Sequence, residues 1–471
     1  MAAEVSSAGE VRFREGRPVV VVGAGGCGMA AALAASRSGA RVLVLEKGSE
    51  PGGNTALSTG LIPAAGTRFQ REAGVPDDTP ELMAEDIFRK NKRASDPALT
   101  RHLCETSAGL VEWLADEVGC ELVCHTDFLY PGHSRFRMHG PPRGYGAELV
   151  RQLAGAVERD PSIELRLETP VRGLVLDEGR VVGVKTGGGS IEAGAVILAL
   201  DGFGGNPEMV RKHLGPEVAA APYFGSPNNT GDGIRWGIAA GAAAGYLDAY
   251  QGHGSVAVPG GPLVTWGLVM NGAILVNRHG RRFGDESRGY SEFAREVLAQ
   301  PGGEAWEIFD QRAHDASRGT RFEEVISAGR VVRGGTLEEL ASALGLPAAA
   351  LAETVATVNR AAGGEGSDPF GRTAFAGGLS EPPFYGIHVR GALFHTQGGL
   401  RVDTGARVLR PDSSPIPGLY AGGGTAAGIS GNGAEGYLAG NGLLAALGLG
   451  RTAGETASRE LKNAAQTRRQ P

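Results

Sequence analysis

The run from Val19 to Glu46 constrains this chain more than any other segment. Val19–Val22 is unbroken and β-branched, which suits a strand buried on both faces. It leads directly into Gly23-Ala24-Gly25-Gly26-Cys27-Gly28. Met29 to Ser38, rich in alanine and leucine, reads as a helix that Gly39 caps; Arg41–Leu45 reads as a second strand with Glu46 at its end. Each piece has a physical task. Gly23 permits the tight turn, Gly25 lets backbone N–H groups approach a pyrophosphate, and Gly28 lets the helix pack close to the strand. The helix N-terminus offers the positive end of its dipole to phosphate. Glu46 can accept both ribose hydroxyls of an adenosine, and its charge repels a 2′-phosphate. The segment is a βαβ unit suited to the ADP half of a dinucleotide.

At 471 residues the chain exceeds one ordinary core, so two domains or an interrupted one are expected. Its 77 glycines lie well above the usual share of about 7% and follow no triplet period. They gather instead in loops such as Gly23–Gly28, Gly422–Gly424 and Gly431–Gly442, where backbone must approach something closely. A formal charge of −6 with no basic run argues against nucleic-acid binding. No apolar stretch nears the ~20 residues of a membrane span, and Met1–Pro18 lacks a signal-peptide core. Four cysteines are too sparse for a disulfide framework, so the expected compartment is the cytoplasm. Cys120, Cys124 and His125 miss the CxxCH haem pattern by one residue, so neither haem nor metal is expected.

Beyond Glu46, Lys47 leads into Pro51-Gly52-Gly53-Asn54-Thr55-Ala56 and then Ser58-Thr59-Gly60. This resembles the segment that wraps flavin in the fumarate reductase/succinate dehydrogenase flavoprotein family. Further motifs follow in the family's order. A helix over Ala147–Glu158 precedes strand-like runs at Ile163–Leu167, Gly173–Leu176 and Val181–Val184. A buried strand, Ala195–Leu200, ends in Asp201-Gly202, and Asn229-Thr230-Gly231-Asp232-Gly233 starts a helix. Ile416–Thr425 resembles the closing flavin motif, and Gly431–Gly442 opens a last helix, Leu443–Gly448. The resemblance implies an α/β fold: a Rossmann-like FAD-binding domain of glutathione reductase type, interrupted by an α+β capping domain. The expected boundaries are 1–250 and 395–471 for the FAD-binding domain and 251–394 for the cap, with helices over Leu337–Leu344 and Ala348–Val358. It also implies a cofactor set of Gly23, Gly25, Gly26, Cys27, Gly28, Glu46, Lys47, Gly53, Asn54, Thr55, Ser58, Gly60, Val171, Asp201, Gly202, Asp232, Gly423, Gly424, Asn441, Gly442 and Leu443. The FAD is expected to be non-covalent, because no histidine lies in Gly52–Gly60.

The family builds its substrate site between the flavin face and the cap. Dicarboxylate-reducing members use two histidines, a carboxylate-binding arginine, a proton-donating arginine and a Glu/Arg relay. The histidines have counterparts in His253 and in His395, which opens His395-Thr396-Gln397-Gly398-Gly399. The arginines do not. Tyr290 stands at the proton-donating position, four residues beyond Glu286, and Trp266 and Val269 replace the relay pair. Tyr437 occupies the carboxylate-binding position, and Arg288 is the nearest cation, two residues out of register. Tyrosine cannot replace the bidentate guanidinium fork, so a neutral ketone fits better than a dicarboxylate.

Asp285-Glu286-Ser287 with Tyr290, paired with Tyr437 in a glycine-rich loop, resembles the ketosteroid dehydrogenase branch of the family. That resemblance implies that Tyr290 removes the proton α to a ketone. Tyr437 and the Asn441 backbone N–H then polarise the carbonyl, and hydride leaves the β-carbon for flavin N5. An ordinary tyrosine has a pKa near ~10, so Tyr290 needs an activating neighbour, with Arg288 and Tyr130 as candidates. The expected activity is therefore FAD-dependent desaturation of the α,β C–C bond of a ketone, with a smaller cyclic ketone as plausible as a steroid. An ene-reductase of an unsaturated ketone or acid is the alternative, and a non-redox hydratase or isomerase the third. The expected partners are a small-molecule ketone and an unidentified electron acceptor or donor, with neither nucleic acid nor membrane.

Overall fold

In the computed structural model, which describes residues 5–7, 16–127 and 129–469, Val19–Val22 is strand β1, each valine at most 3% exposed. The polar start read as lacking a leader lies largely outside the described residues, at 1–4 and 8–15. Two units make up the chain. One comprises Met1–Leu214, Gly225–Tyr250 and His395–Pro471; the other comprises Gly215–Phe224 and Gln251–Phe394.

The first unit is built on a six-stranded sheet. After β1 come helix α1 (Gly26–Arg37), β2 (Val42–Leu45), β3 (Ile163–Arg166), β4 (Ala195–Leu198), β5 (Arg407–Leu409), β6 (Pro415–Ala421) and helix α2 (Asn441–Arg469). The strand order is β5-β6-β4-β1-β2-β3, parallel except for β5 against β6. Val19 faces both Ala195 and Val42 in register, and all four residues of β1, β2 and β4 are buried, as a doubly covered sheet requires. The α/β flavoprotein fold is the one expected. Beside it, Val171–Asp177, Arg180–Thr186 and Gly189–Glu192 form an antiparallel sheet, with Val5–Ser7 parallel to its first strand.

Two elements differ from expectation. Helix α1 begins at Gly26 rather than Met29, because extended Gly25 is its N-cap and the second half of the glycine loop is already the first helical turn. Helix α2 runs 29 residues, far past Gly448. Interior glycines weigh against a helix, but here they allow close packing on α1. A Cβ on Gly450 would stand 2.4 Å from the Cys27 carbonyl oxygen, and one on Gly454 would stand 2.3 Å from that of Ala31.

The second unit is a sheet with helices, antiparallel where Glu304–Asp310 pairs with its two neighbours. Tyr250–Ala257, Phe384–Thr396, Glu304–Asp310 and Ile274–Val276 lie in that order, and Val332–Gly334 also pairs with the long Phe384–Thr396 strand. One apolar cluster (Trp266, Phe293, Phe309, Phe322, Ile387 among its members) packs under helix Tyr290–Leu298. A second packs helices Leu337–Leu344 and Ala348–Ala362 around Ile274, Ile308 and Phe375. Among the described residues no helix is long and apolar enough to cross a membrane.

Candidate functional site

In the first unit, four parallel strands bring their carboxyl ends to one edge: Gly23 follows β1, Glu46 follows β2, Asp201 stands three residues past β4, and Gly422 follows β6. Ligands of open α/β sheets bind at that edge. Gly23 holds φ +104°, and a Cβ there would stand 2.3 Å from the Ala199 carbonyl oxygen. A Cβ on Gly28 would strike the Gly23 carbonyl oxygen, so this glycine sets the helix–strand approach. Gly25 is different: its added Cβ would meet nothing nearer than the Gly52 oxygen at 3.6 Å. No side chain of the N-cap closes α1. Gly26 N–H donates to Thr55 Oγ1 at 3.1 Å.

The Glu46 carboxylate accepts from Ala24 N–H (2.8 Å) and Gly48 N–H (2.7 Å), which fixes its orientation and leaves lone pairs on both oxygens. Asn54 accepts Ser226 N–H at 2.7 Å, while its buried Nδ2 has no partner. An orphan donor of this kind is costly unless a ligand takes it. Gly53 has open space around it. At the start of α2, the Gly442 and Leu443 amides precede the intrahelical ladder, which opens with Leu444 N–H to Gly440 O. This donor-rich edge, with a fixed acidic acceptor beside it, fits FAD, which binds through a pyrophosphate and an adenosine ribose.

Other expected cofactor residues serve the frame. Ser58 Oγ closes its own loop through Thr55 O and Gly60 N–H. Lys47 and Asp232 meet at 3.5 Å, and Asp232 also takes Thr230 and Arg235. Asp201 sits at φ +61°, accepts from Asn229 Nδ2 at 2.9 Å, and is pushed up to about 6 by burial. A Cβ on Gly202 would collide with Thr396 Oγ1, and one on Gly424 with Asp201 Oδ1. Cys27 packs beneath Gly422 and Gly423, its thiol pushed up to about 12 by burial. Val171 opens the Val171–Asp177 strand of the small sheet, opposite Thr186.

The same unit gathers His395, Tyr437 and Asn441. The His395 ring meets Tyr437 edge-on at 5.7 Å, and Gln397 Nε2 donates to its Nδ1 at 2.8 Å. Gln397 Oε1 accepts from Ser430 Oγ at 2.9 Å, and Asn441 Nδ2 reaches that hydroxyl at 3.4 Å. Burial pushes His395 down to about 4, so it is neutral near pH 7. Asn441 requires a correction. Its backbone N–H, expected to face a substrate carbonyl, donates to Leu438 O at 3.1 Å and closes a turn. Its buried side-chain Oδ1 has no partner. Gln397 and Ser430 escaped the sequence reading, although Gln397 fills the variable position of the His-Thr-x-Gly-Gly pattern.

In the second unit, rings from four distant positions form a column. Phe224 stacks on Phe394 (5.5 Å, 7°), His253 lies against Phe394 (5.4 Å) and stacks on Tyr290 (4.9 Å, 19°). Trp266 meets both His253 and Tyr290 edge-on. His253 Nδ1 accepts Ser255 N–H at 3.2 Å; burial, helped by the charge of Arg321, pushes it down to about 3. It is a neutral ring in an aromatic wall. Arg288 belongs elsewhere: its side chain is 59% exposed and faces Asp285 and Glu292.

Two groups near this column had no structural role assigned from the sequence. Glu286 is fully buried and accepts from Leu275 N–H, Arg282 and Arg372. Arg372 also donates to Val269 O and Ala273 O, and Arg282 is paired with Asp368. This cage holds the turn that leads into Tyr290. Glu307, fully buried, accepts from Ser255 Oγ at 2.7 Å, and its other oxygen has no partner. Burial, with Glu286 nearby, pushes it up to about 8. Pairs separated by 52 to 103 residues carry no local sequence signal.

Comparison with known proteins agrees with this geometry. The FAD binding domain family matches residues 18–443. A fumarate reductase (cytochrome) of Shewanella frigidimarina is 36% identical over 456 residues, covering 94% of this chain and 77% of that protein. The open conformation of a flavocytochrome c3 fumarate reductase superposes with a TM-score of 0.79 at 31% identity, covering 94% of this chain and 78% of the other. The 3-ketosteroid-Δ4-(5α)-dehydrogenase of Rhodococcus jostii RHA1, in complex with 4-androstene-3,17-dione, gives 0.76 at 29% identity, covering 96% and 99%.

Proposed function

This chain belongs to the FAD-binding flavoprotein family of fumarate reductases and ketosteroid dehydrogenases, an FAD-dependent oxidoreductase acting on CH–CH groups, and from that premise we propose that it desaturates the α,β bond of a neutral, cyclic ketone. The observation that carries this reading is the aromatic column: the ring of Tyr290 stacks on a histidine that burial keeps uncharged. A dicarboxylate needs a guanidinium fork, and Arg288 faces Asp285 and Glu292 instead.

FAD, when bound, supplies the two-electron acceptor. Tyr290 Oη takes the α-proton, and Tyr437 Oη donates to the carbonyl oxygen as negative charge develops there. Gln397 Nε2, 2.8 Å from His395 Nδ1, orients the ring beside Tyr437. The Glu46 carboxylate and the amides at the starts of α1 and α2 are the groups assigned to the cofactor.

A second reading, reduction of an unsaturated acid or ketone, is supported by the activity named for the 36%-identical relative. Anaerobic mixing separates the two. Saturated cyclic ketones should bleach the flavin of the first enzyme, while succinate leaves it oxidised. Bleaching by succinate with no response to any ketone would establish the second reading instead.

A further inference from the structure

The loop Tyr437–Asn441 is held from beneath by a buried polar layer to which the sequence analysis assigns no role. His133 Nε2 lies 3.0 Å from the Ala439 carbonyl oxygen, and its Nδ1 lies 3.5 Å from Arg137 Nη1. A carbonyl only accepts and a guanidinium only donates. The ring is therefore the neutral Nε2–H tautomer, donating to Ala439. Burial, with the Arg137 charge, keeps it neutral, pushed down to about 4. Arg137 is 1% exposed, and Asp78 fixes it through two 2.8 Å bonds to Nε and Nη2. Asp86 pairs with its Nη1 and also takes Ser134 N–H (2.8 Å) and Oγ (2.7 Å), so His133 stands on an immobilised base.

The neighbouring contacts allow little other register. A Cβ on Gly132 would stand 2.7 Å from Leu438 Cδ1, and one on Gly440 would stand 2.5 Å from Pro63 Cδ. The carbonyl of Ala439 and the N–H of Gly440 share one planar trans peptide and point in opposite directions. Fixing the carbonyl toward His133 therefore fixes the peptide plane two residues beyond Tyr437, directly before Gly440, whose carbonyl is the first acceptor of α2. We propose that His133 is a positioning residue: through its Nε2–H bond to Ala439, set by the Arg137–Asp78–Asp86 layer, it holds the Tyr437–Asn441 loop in its working register. The catalytic consequence rests on the role proposed above for Tyr437; the structural part does not.

The test uses the FAD-loaded full chain and two independent readouts: hydrogen exchange of the amides in 437–444, and anaerobic flavin bleaching by a saturated cyclic ketone. His133→Leu should keep its FAD, raise loop exchange about 10-fold, and slow bleaching by about the same factor, which equals ~1.4 kcal/mol. His133→Gln, whose amide nitrogen reaches about as far as Nε2, should restore most of both. In a Tyr437→Phe background, His133→Leu should slow bleaching by less than about 2-fold, since the two act through one group. Should the leucine variant fail to fold, His133→Asn, too short to reach Ala439, replaces it. Unchanged loop exchange in the leucine or asparagine variant would overturn the proposal even if the parent oxidises ketones. Raised exchange in a protein that no ketone bleaches would uphold the positioning and refute the desaturase reading.

Discussion

Glu307→Gln tests the electrostatics of the second unit with a change of one functional group. The side chain is fully buried, with one oxygen on Ser255 Oγ and the other without a partner. Moving its pKa from the ordinary 4.5 to about 8 means that the folded state holds a proton that the unfolded chain has already lost. A raised carboxyl contributes stability that is fully present below pH 4.5 and is lost as pH rises through about 8, then flattens once both states are ionised. Between pH 5 and pH 9 the loss is on the order of 4 kcal/mol. Glutamine keeps the shape and the Ser255 bond but cannot ionise. Denaturant unfolding of parent and variant across that range isolates this one group, because all other titrations cancel in the difference. The variant should gain on the parent steadily from pH 5 to pH 8, and the gap should then stay level. Parallel curves across the whole range would show that Glu307 is not held neutral, and would refute the reasoning.

Tyr290→Phe keeps the ring that stacks on His253 and should slow turnover by roughly 10²-fold with FAD still bound, as stopped-flow bleaching would report. Glu46→Gln weakens the acceptor of Ala24 and Gly48 N–H and should loosen FAD by about 1–3 kcal/mol, read as flavin lost on dialysis. Gly454→Leu places a side chain where a Cβ alone is 2.3 Å from the Ala31 oxygen, so it should lower the unfolding midpoint by several degrees or abolish folding. An unaltered melt would mean that α1 and α2 do not pack at this glycine.

The sequence carried the first unit well where its chemistry is local. Val19–Val22, the glycine loop and Glu46 lie within one βαβ unit, and the structure has them as strand, helix start and strand-end acid. It failed where a residue's meaning is tertiary. Gly448 reads as a helix ending until Gly450 and Gly454, beyond it, are seen packed on α1. Arg137, Asp78 and Asp86 carry no local signal, because 51 and 59 residues separate the partners. The wall around His253 draws on positions 224, 266, 290 and 394, of which the sequence singled out Tyr290 and noted Trp266 only as a lost relay. Asn441 shows the opposite error: the residue lies in the expected loop, but its N–H is committed to Leu438.

The central claim, that this site takes a neutral ketone where dicarboxylate reductases take an acid, is tested most directly at Tyr437. Rates of flavin reduction by a saturated cyclic ketone, and of reduced-flavin oxidation by fumarate, should be measured for the parent and for Tyr437→Phe and Tyr437→Arg. The account predicts ketone-driven reduction in the parent, slowed by about 10²–10³-fold in Tyr437→Phe. It predicts negligible fumarate turnover in the parent, and any fumarate activity should be gained only by Tyr437→Arg. A parent that reduces fumarate well, or a Tyr437→Arg variant that oxidises the ketone faster than the parent, would contradict it.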